Sequence, residues 1–158
     1  MTLETQSGRK IIGANRRARH EYHILDKYEA GLVLQGTEVK ALREGRVSLI
    51  EGFARFMGDE LYLVNVHINP YSHTGGSGHA ALRERKLLLG RRELSKLRKA
   101  TQIKGQTLIP LSIYFRGGWA KVELAVCRGK QQHDKRQAVA ERESKRQLAR
   151  TMKEHKSV

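Results

Sequence analysis

A single cysteine, Cys127, leaves this chain no internal disulfide. One thiol fits a reducing compartment better than an oxidising one. Long apolar runs are missing too, so nothing in the sequence is suited to span a bilayer. Met1 to Ser7 has no apolar core of the kind a signal peptide needs, which points to the cytoplasm. Acidic residues are scarce: 16 Asp or Glu stand against 31 Lys or Arg, a formal net charge of +15. Such an excess concerns partners and solubility, and the commonest polyanionic partner is a phosphate backbone.

One shortage divides the chain. Beyond Gly129 there is no Gly, no Pro and no aromatic residue. From Arg128 to Val158 there are ten Lys or Arg against four acids, so the end of the chain carries +6 of the total charge. We therefore expect three parts: a disordered N-terminus at 1–9, a folded body at 10–130 and a basic tail at 131–158. A body of that length buries one adequate core.

What is present in the body reads mainly as β. Lys10 to Gly13 is a brief strand, and Asn15 is placed to N-cap a short helix carrying Arg16, Arg17, Arg19 and His20. Tyr22, Ile24, Tyr28, Leu32 and Leu34 fall on one parity, a strand interrupted near Asp26-Lys27, with Gly31 hinting at a bulge. Thr37 reads as the N-cap of a helix over Glu38 to Glu44, ended by Gly45, with Val39 and Leu42 facing the body and Glu38 facing away. Val47 to Asn69 is a hairpin turning at Gly58-Asp59. Arg83 to Leu89 reads as a basic, apolar bridge, and Gly90 opens a helix whose apolar face is Leu94, Leu97 and Ala100. Leu108 to Phe115 and Trp119 to Cys127 form a second hairpin about Gly117-Gly118, with Pro110 marking an edge strand. Val122, Leu124 and Val126 share the inner face, and Cys127 falls with the outward set as a small structural residue.

Five or six strands and about three short helices in so small a body favour a closed barrel, which removes open edges. The expected fold is mainly β with short helices, a small oligonucleotide-binding-type (OB-like) barrel with a disordered basic C-terminal tail. The tail is rich in helix formers, yet its apolar stripe is only Val139, Leu148 and Met152. A helix polar nearly all round is marginal by itself, so the tail is expected to be disordered alone and helical on a partner.

No cofactor is expected. The glycine-rich stretch Thr74 to Gly78 is a flexible loop by composition, with no strand leading in at the right spacing and no Lys-Ser or Lys-Thr after it. His67, His73 and His79 are six apart, unlike the close ligand pairs that a zinc site uses.

Four segments together carry a resemblance. They are Asn-Arg-Arg-Ala-Arg-His-Glu-Tyr at 15–22, Tyr-Glu-Ala-Gly-Leu-Val-Leu-Gln-Gly-Thr-Glu-Val-Lys-Ala-Leu-Arg at 28–43, Arg-Lys-Leu-Leu-Leu at 85–89 and Arg-Gly-Lys-Gln-Gln-His-Asp-Lys-Arg at 128–136. In that order they resemble the small protein B family, the bacterial tmRNA-binding (SsrA-binding) proteins, over roughly residues 10–155. The resemblance implies a barrel that holds the tRNA-like part of tmRNA and a tail that folds as a helix in the ribosome's empty mRNA channel. It implies rescue of ribosomes stalled on messages without a stop codon, as a non-enzymatic monomer bound 1:1 to tmRNA and in contact with small-subunit rRNA.

Carried over by position, the RNA-binding candidates are Asn15, Arg16, Arg17, Arg19, His20, Glu29, Lys40, Lys86, Leu88, Gly90 and Arg91. Gly90 departs from the family pattern, where asparagine or histidine is common, and offers no side-chain hydrogen bond. The candidates for ribosome and decoding-centre contact are Lys130, His133, Asp134, Lys135 and Arg136, with His133 as the stacking ring. Gln131 stands where another lysine is common. Two other classes compete: a nuclease using His20, Glu29 and His67, for which no catalytic spacing argues, and a ribosomal or assembly protein that binds rRNA without tmRNA.

Overall fold

The computed structural model of the chain describes residues 3–5, 8–70, 78–130 and 132–156. Ten strands and four helices are described. They run β1 (Leu3–Thr5), β2 (Arg9–Ala14), α1 (Arg16–Glu21), β3 (Tyr22–Leu32), α2 (Gly36–Arg43), β4 (Val47–Ser48) and β5 (Phe53–Met57). Then come β6 (Glu60–Val64), β7 (His67–Ile68), β8 (Arg85–Leu88), α3 (Arg91–Thr101), β9 (Gln106–Arg116), β10 (Trp119–Gly129) and α4 (Gln132–Lys156). The architecture is mainly β with short helices and one long terminal helix. Among the described residues no helix is long and apolar enough to cross a membrane.

Eight strands form one sheet in the order β1-β2-β9-β10-β3-β8-β6-β5, and β5 also pairs with β9 through Ala54 and Leu108. β4 and β7 pair separately. The strands beyond the expected number are short. β8 is the segment read as a bridge; it pairs with both β3 and β6. β1 lies in the segment expected to be disordered, and it pairs along β2.

β9 and β10 are joined by the expected two-glycine turn, Gly117 (φ 57°) and Gly118 (φ 82°). Positive φ at both positions matches the right-handed twist of the flanking strands. Pro110 does not mark an edge strand, because β9 pairs with β10, β2 and β5. It sits where one side of β9 changes partner from β5 to β2, next to a bulge at Leu111. A residue without an N–H is tolerated where the ladder is already interrupted.

The irregularity expected near Asp26 is a bulge at Leu25: Val126 faces Asp26, but Cys127 faces Ile24. One extra residue flips every side chain beyond it to the other face. So Tyr22 and Ile24 do not share a face with Tyr28 and Leu32. The latter pair packs with the main core, which includes Ala30, Leu61, Leu63, Leu87, Ile113, Val122 and Leu124. Tyr22 and Ile24 pack on a second cluster of Ala18, Ile109, Leu111, Ala125 and Cys127. Gly31 itself is in register, opposite Lys121 and Leu88.

α2 adds Ala41 and Leu42 to the main core, and α3 adds Leu97 flanked by Leu94 and Ala100. The cap of α2 is Gln35, not Thr37: the Gln35 N–H donates to Glu38 Oε1 at 2.9 Å. Thr37 instead pairs with His79 at 3.0 Å. The expectation that Glu38 faces away is also overturned, since its side chain and that of Arg85 are both fully buried. Arg83 and Arg85 each donate to the Glu38 carboxylate. Arg85 further donates to the Val66 carbonyl at 2.7 Å and the Ala81 carbonyl at 3.1 Å. Two facing partners thus meet a charge that pattern alone assigns to solvent.

α4 is a single helix whose described side chains are exposed, Val139, Leu148 and Met152 among them. Its composition accounts for the helix, since residues 132–156 lack Gly and Pro and are dominated by strong helix formers. Gln131 and the glycine-rich stretch at 71–77, with His73, lie outside the described residues.

Burial pushes the Glu38 carboxyl up, but hydrogen bonds from Arg83, the Gln35 amide and Arg85 outweigh it and hold it below the ordinary value of 4.5. A carboxyl lowered by folding contributes stability above its unfolded value and loses it as pH falls through the folded one. Glu38→Gln leaves a buried guanidinium without its anion and should cost about 3–5 kcal/mol at neutral pH. Urea unfolding from pH 7 to pH 3 should show that the gap between the two proteins narrows only below the ordinary carboxylate value.

Candidate nucleic-acid interface

The outer side of β9, β10 and β3 has two halves. One half is covered by α1. Asn15 starts that helix: its Oδ1 accepts the Ala18 N–H at 3.2 Å, and its Nδ2 donates to the Pro110 carbonyl at 3.2 Å and the Leu49 carbonyl at 3.4 Å. Its backbone N–H also donates to the Leu111 carbonyl at 2.7 Å. Asn15 is buried and committed to these partners, so it positions α1.

Ala18 then packs on Ala125 and Cys127, which is why the outward parity of Cys127 ends in burial. Arg16, Arg19 and His20 remain exposed on the other side of α1. Arg17 is tied down, with Nε donating to Glu21 at 2.7 Å and Nη1 at 3.9 Å from Glu51. Lys130 holds the start of the tail to this helix: its N–H donates to the Glu21 carbonyl at 2.9 Å and its Nζ to the Arg19 carbonyl at 3.1 Å. Arg142 of α4 approaches His20 Nδ1 at 3.5 Å. A cleft of about 440 Å³ between α1 and α4 is lined by Arg16, Arg19, His20, Lys130, Glu141, Arg142 and Lys145.

The other half of the outer side is open. Glu29 on β3 stands directly opposite Glu123 on β10. Like charges so placed repel, and the sheet answers each with its own cation. Arg116 Nη1 lies 2.8 Å from both Glu29 oxygens. Arg9 Nη1 lies 2.8 Å from Glu123, and Lys27 Nζ 3.6 Å from it. Between these pairs Tyr114 is fully buried although it points outward, because the Arg9 guanidinium lies 4.6 Å over its ring. Its hydroxyl donates to Glu29 Oε1 at 2.6 Å. Burial, then this hydrogen bond, raises the Tyr114 phenol far above its ordinary value, so it stays a donor. Glu29 is therefore a held carboxylate, half-exposed and fixed in place.

Beside it Leu88 is 51% exposed and sits opposite Gly31. Gly31 leaves a shallow notch between Lys121 and Leu88; an added Cβ would stand 3.3 Å from that of Leu88. Lys86 pairs with Glu60 at 2.9 Å, and Tyr62 donates to the same carboxylate at 2.7 Å. Those two hydrogen bonds lower the Glu60 carboxyl, and Glu60 in turn raises Lys86. Gly90 caps α3, and Arg91 is exposed at its first residue. Lys40 is exposed on α2. Arg136 is exposed on α4, while the side chains of His133, Asp134 and Lys135 lie outside the described residues.

So the structure brings Glu29 and Leu88 to one face and gathers Arg16, Arg19, His20 and Lys130 at α1. Sequence reasoning missed Arg9, Tyr114, Arg116 and Lys121, which complete the Glu29 face. Their only signal was period-two parity in strands whose partners were not yet known.

A model of the SmpB family, described as "SmpB protein", matches residues 12–154. The chain belongs to the SmpB family. Among similar curated proteins, the SsrA-binding protein of Acidothermus cellulolyticus is 55% identical over 150 residues, covering 95% of this chain and 94% of the relative. The SsrA-binding protein of Thermobifida fusca is 56% identical over 146 residues, covering 92% and 91%. A solved SmpB-family structure described as "tmRNA-SmpB: a journey to the center of the bacterial ribosome" superposes with a TM-score of 0.66 at 49% identity, covering 80% of this chain and 93% of that one.

Glu29 is held by Arg116 and Tyr114. His79 donates from Nε2 to the Ile68 carbonyl at 2.9 Å and pairs through Nδ1 with Thr37, so both ring nitrogens are engaged. Among the described residues no group of three or more His, Cys, Asp or Glu is placed to hold a metal.

Burial pushes the Cys127 thiol up to about 11 from an ordinary 9.0. At pH 8 its thiolate fraction should be about a hundredth of the ordinary one. Because Cys127 lies in the cluster that α1 covers, its labelling by a thiol reagent should report undocking of that helix. In native buffer it should be slower than labelling of the unfolded chain by about two orders of magnitude or more, rising with urea.

Proposed function

We propose that this protein binds the tRNA-like domain of tmRNA and delivers it to stalled ribosomes, where incomplete proteins are tagged in trans-translation. The observation that carries this reading is the joint placement of Glu29 and Leu88 on an arginine-backed open face of an SmpB-family chain. Relatives more than half identical are SsrA-binding proteins, and the similar solved structure is of tmRNA-SmpB. The ring of pairings β9-β10-β3-β8-β6-β5, returning to β9, is read as a closed OB-like barrel. Rigid strands then hold the RNA-facing groups, as such barrels do for oligonucleotides.

The protein acts as an adaptor in the cytoplasm, a monomer bound 1:1 to tmRNA, with no cofactor and no chemistry of its own. Arg16 and Arg19 bind phosphates through their guanidinium forks. Glu29 accepts from base or sugar edges with the lone pairs that Arg116 and Tyr114 leave open. Lys86, Gly90, Arg91 and Lys40 extend the contact around the barrel.

The tail reads the empty mRNA channel. α4 buries no apolar face among its described residues, so its helix is marginal alone and consolidates against rRNA. Lys130, His133, Asp134, Lys135 and Arg136 contact the decoding centre, with the His133 ring stacked on a base.

Deleting residues 134–158 should leave affinity for the tRNA-like fragment within about threefold and abolish tagging of stalled chains. His133→Ala should reduce tagging in the same way while RNA binding stays intact. Gel shifts and an in-vitro tagging assay check both. Loss of RNA binding on truncation would remove the division of labour between body and tail. Arg16→Gln with Arg19→Gln should reduce the slope of log affinity against log salt by about 1 for each phosphate no longer bound, whereas Arg17→Gln should change it little.

A further inference from the structure

Trp119 is the chain's only tryptophan, and it is 75% exposed. No described large apolar side chain is more exposed, yet it stands in a well-built place. It begins β10 directly after the two-glycine turn, paired with Arg116. Pairing fixes its direction: it shares the outer face with Lys121 and Glu123, two and four residues along the same strand.

Its row across the sheet is Arg9, Arg116 and Trp119. The next outer row is Tyr114, Lys121, Gly31 and Leu88, and the one beyond it holds Glu123 and Glu29. The Gly31 notch therefore lies one strand over and one outward row along from the indole, about 7–8 Å away by strand spacing. A wide aromatic ring, a shallow floor and surrounding cations form a surface with the shape and charge for a flat, anionic-backed ligand.

We propose that Trp119 stacks on an unpaired nucleobase of the bound RNA, with Lys121 and Arg116 meeting the flanking phosphates and the base lying toward the Gly31 notch and Leu88. This rests on the functional reading above and adds to it a contact that depends on an aromatic face. An unstacked base in a loop fits, because sequence-tolerant RNA recognition uses aromatic platforms flanked by cations. A second copy of this chain fits poorly. Self-association through this face would oppose Arg9, Lys27, Arg116 and Lys121 to their own duplicates.

The test uses the full-length protein and the tRNA-like fragment of tmRNA. Being the sole tryptophan, Trp119 reports on itself by fluorescence. Saturating RNA should quench its emission and shield it from acrylamide. Trp119→Ala should weaken RNA binding about 5- to 150-fold, the range expected for removing one base–aromatic stack. The slope of log affinity against log salt should stay unchanged, and Trp119→Tyr should restore most of the affinity. If the wild type binds the RNA while Trp119→Ala binds equally well, or acrylamide still reaches the ring, the inference fails and the functional reading stands. An altered salt slope in the alanine variant, or its loss of a dimer seen in the wild type, would also overturn the inference. Should the wild type itself not bind the fragment, the functional reading falls and takes the inference with it.

Discussion

Strand β10 is the constraint on which the rest depends. Both its edges are paired over nearly its whole length, with β9 on one side and β3 on the other. A strand held on both sides cannot slip by one residue without exchanging its faces. Ala120, Val122, Leu124 and Val126 must therefore point into the main core, and Trp119, Lys121, Glu123, Ala125 and Cys127 must point out. The outward set then divides by what lies above it. Ala125 and Cys127 are small and sit under Ala18 of α1; Trp119, Lys121 and Glu123 stand in the open.

The two bulges make this division possible. At Leu111 and Leu25 the partners of β10 each take one extra residue. Each bulge turns the following side chains over, so residues of one parity face the main core on one side of it and the cluster beneath α1 on the other. The helix that carries Arg16 and Arg19 is seated on the same sheet face that displays Glu29. The arginines of α1 and the Glu29 carboxylate thereby share a rigid support.

Electrostatics follows a similar division between inside and outside. Glu38 and Arg85 are fully buried and paired, and removing Glu38 would leave the Arg85 charge in the interior without its anion. Glu29 and Glu123 are at the surface, in a chain of strong positive charge, and each is held by an arginine. The inner pair concerns stability. The outer pairs orient Arg9 and Arg116 around Tyr114 and leave a face where acceptor, apolar side chain and cations lie within a few strand spacings.

Much of this was legible beforehand. The basic excess, the disappearance of Gly and aromatics beyond Gly129, the hairpin at Gly117-Gly118 and the cap at Asn15 are local or compositional facts. The four family segments located Glu29, Leu88 and the arginines of α1. Less legible was whatever depends on a distant partner. Glu38 looked like a surface charge because its partner Arg85 is 47 residues away in sequence. Pro110 looked like an edge because nothing local shows that β9 changes neighbours there. Asn15 was legible as a cap, but its further bonds to the carbonyls of Leu49 and Pro110, 34 and 95 residues away, were not.

Sequence by itself determined the charge, the mainly β content and the family, because these are sums over neighbouring residues or matches of short segments. Tertiary structure alone decided which face each strand residue occupies and which charges are buried. A single inserted residue reverses a strand's faces, and a buried ion pair is joined through space between segments that composition cannot connect.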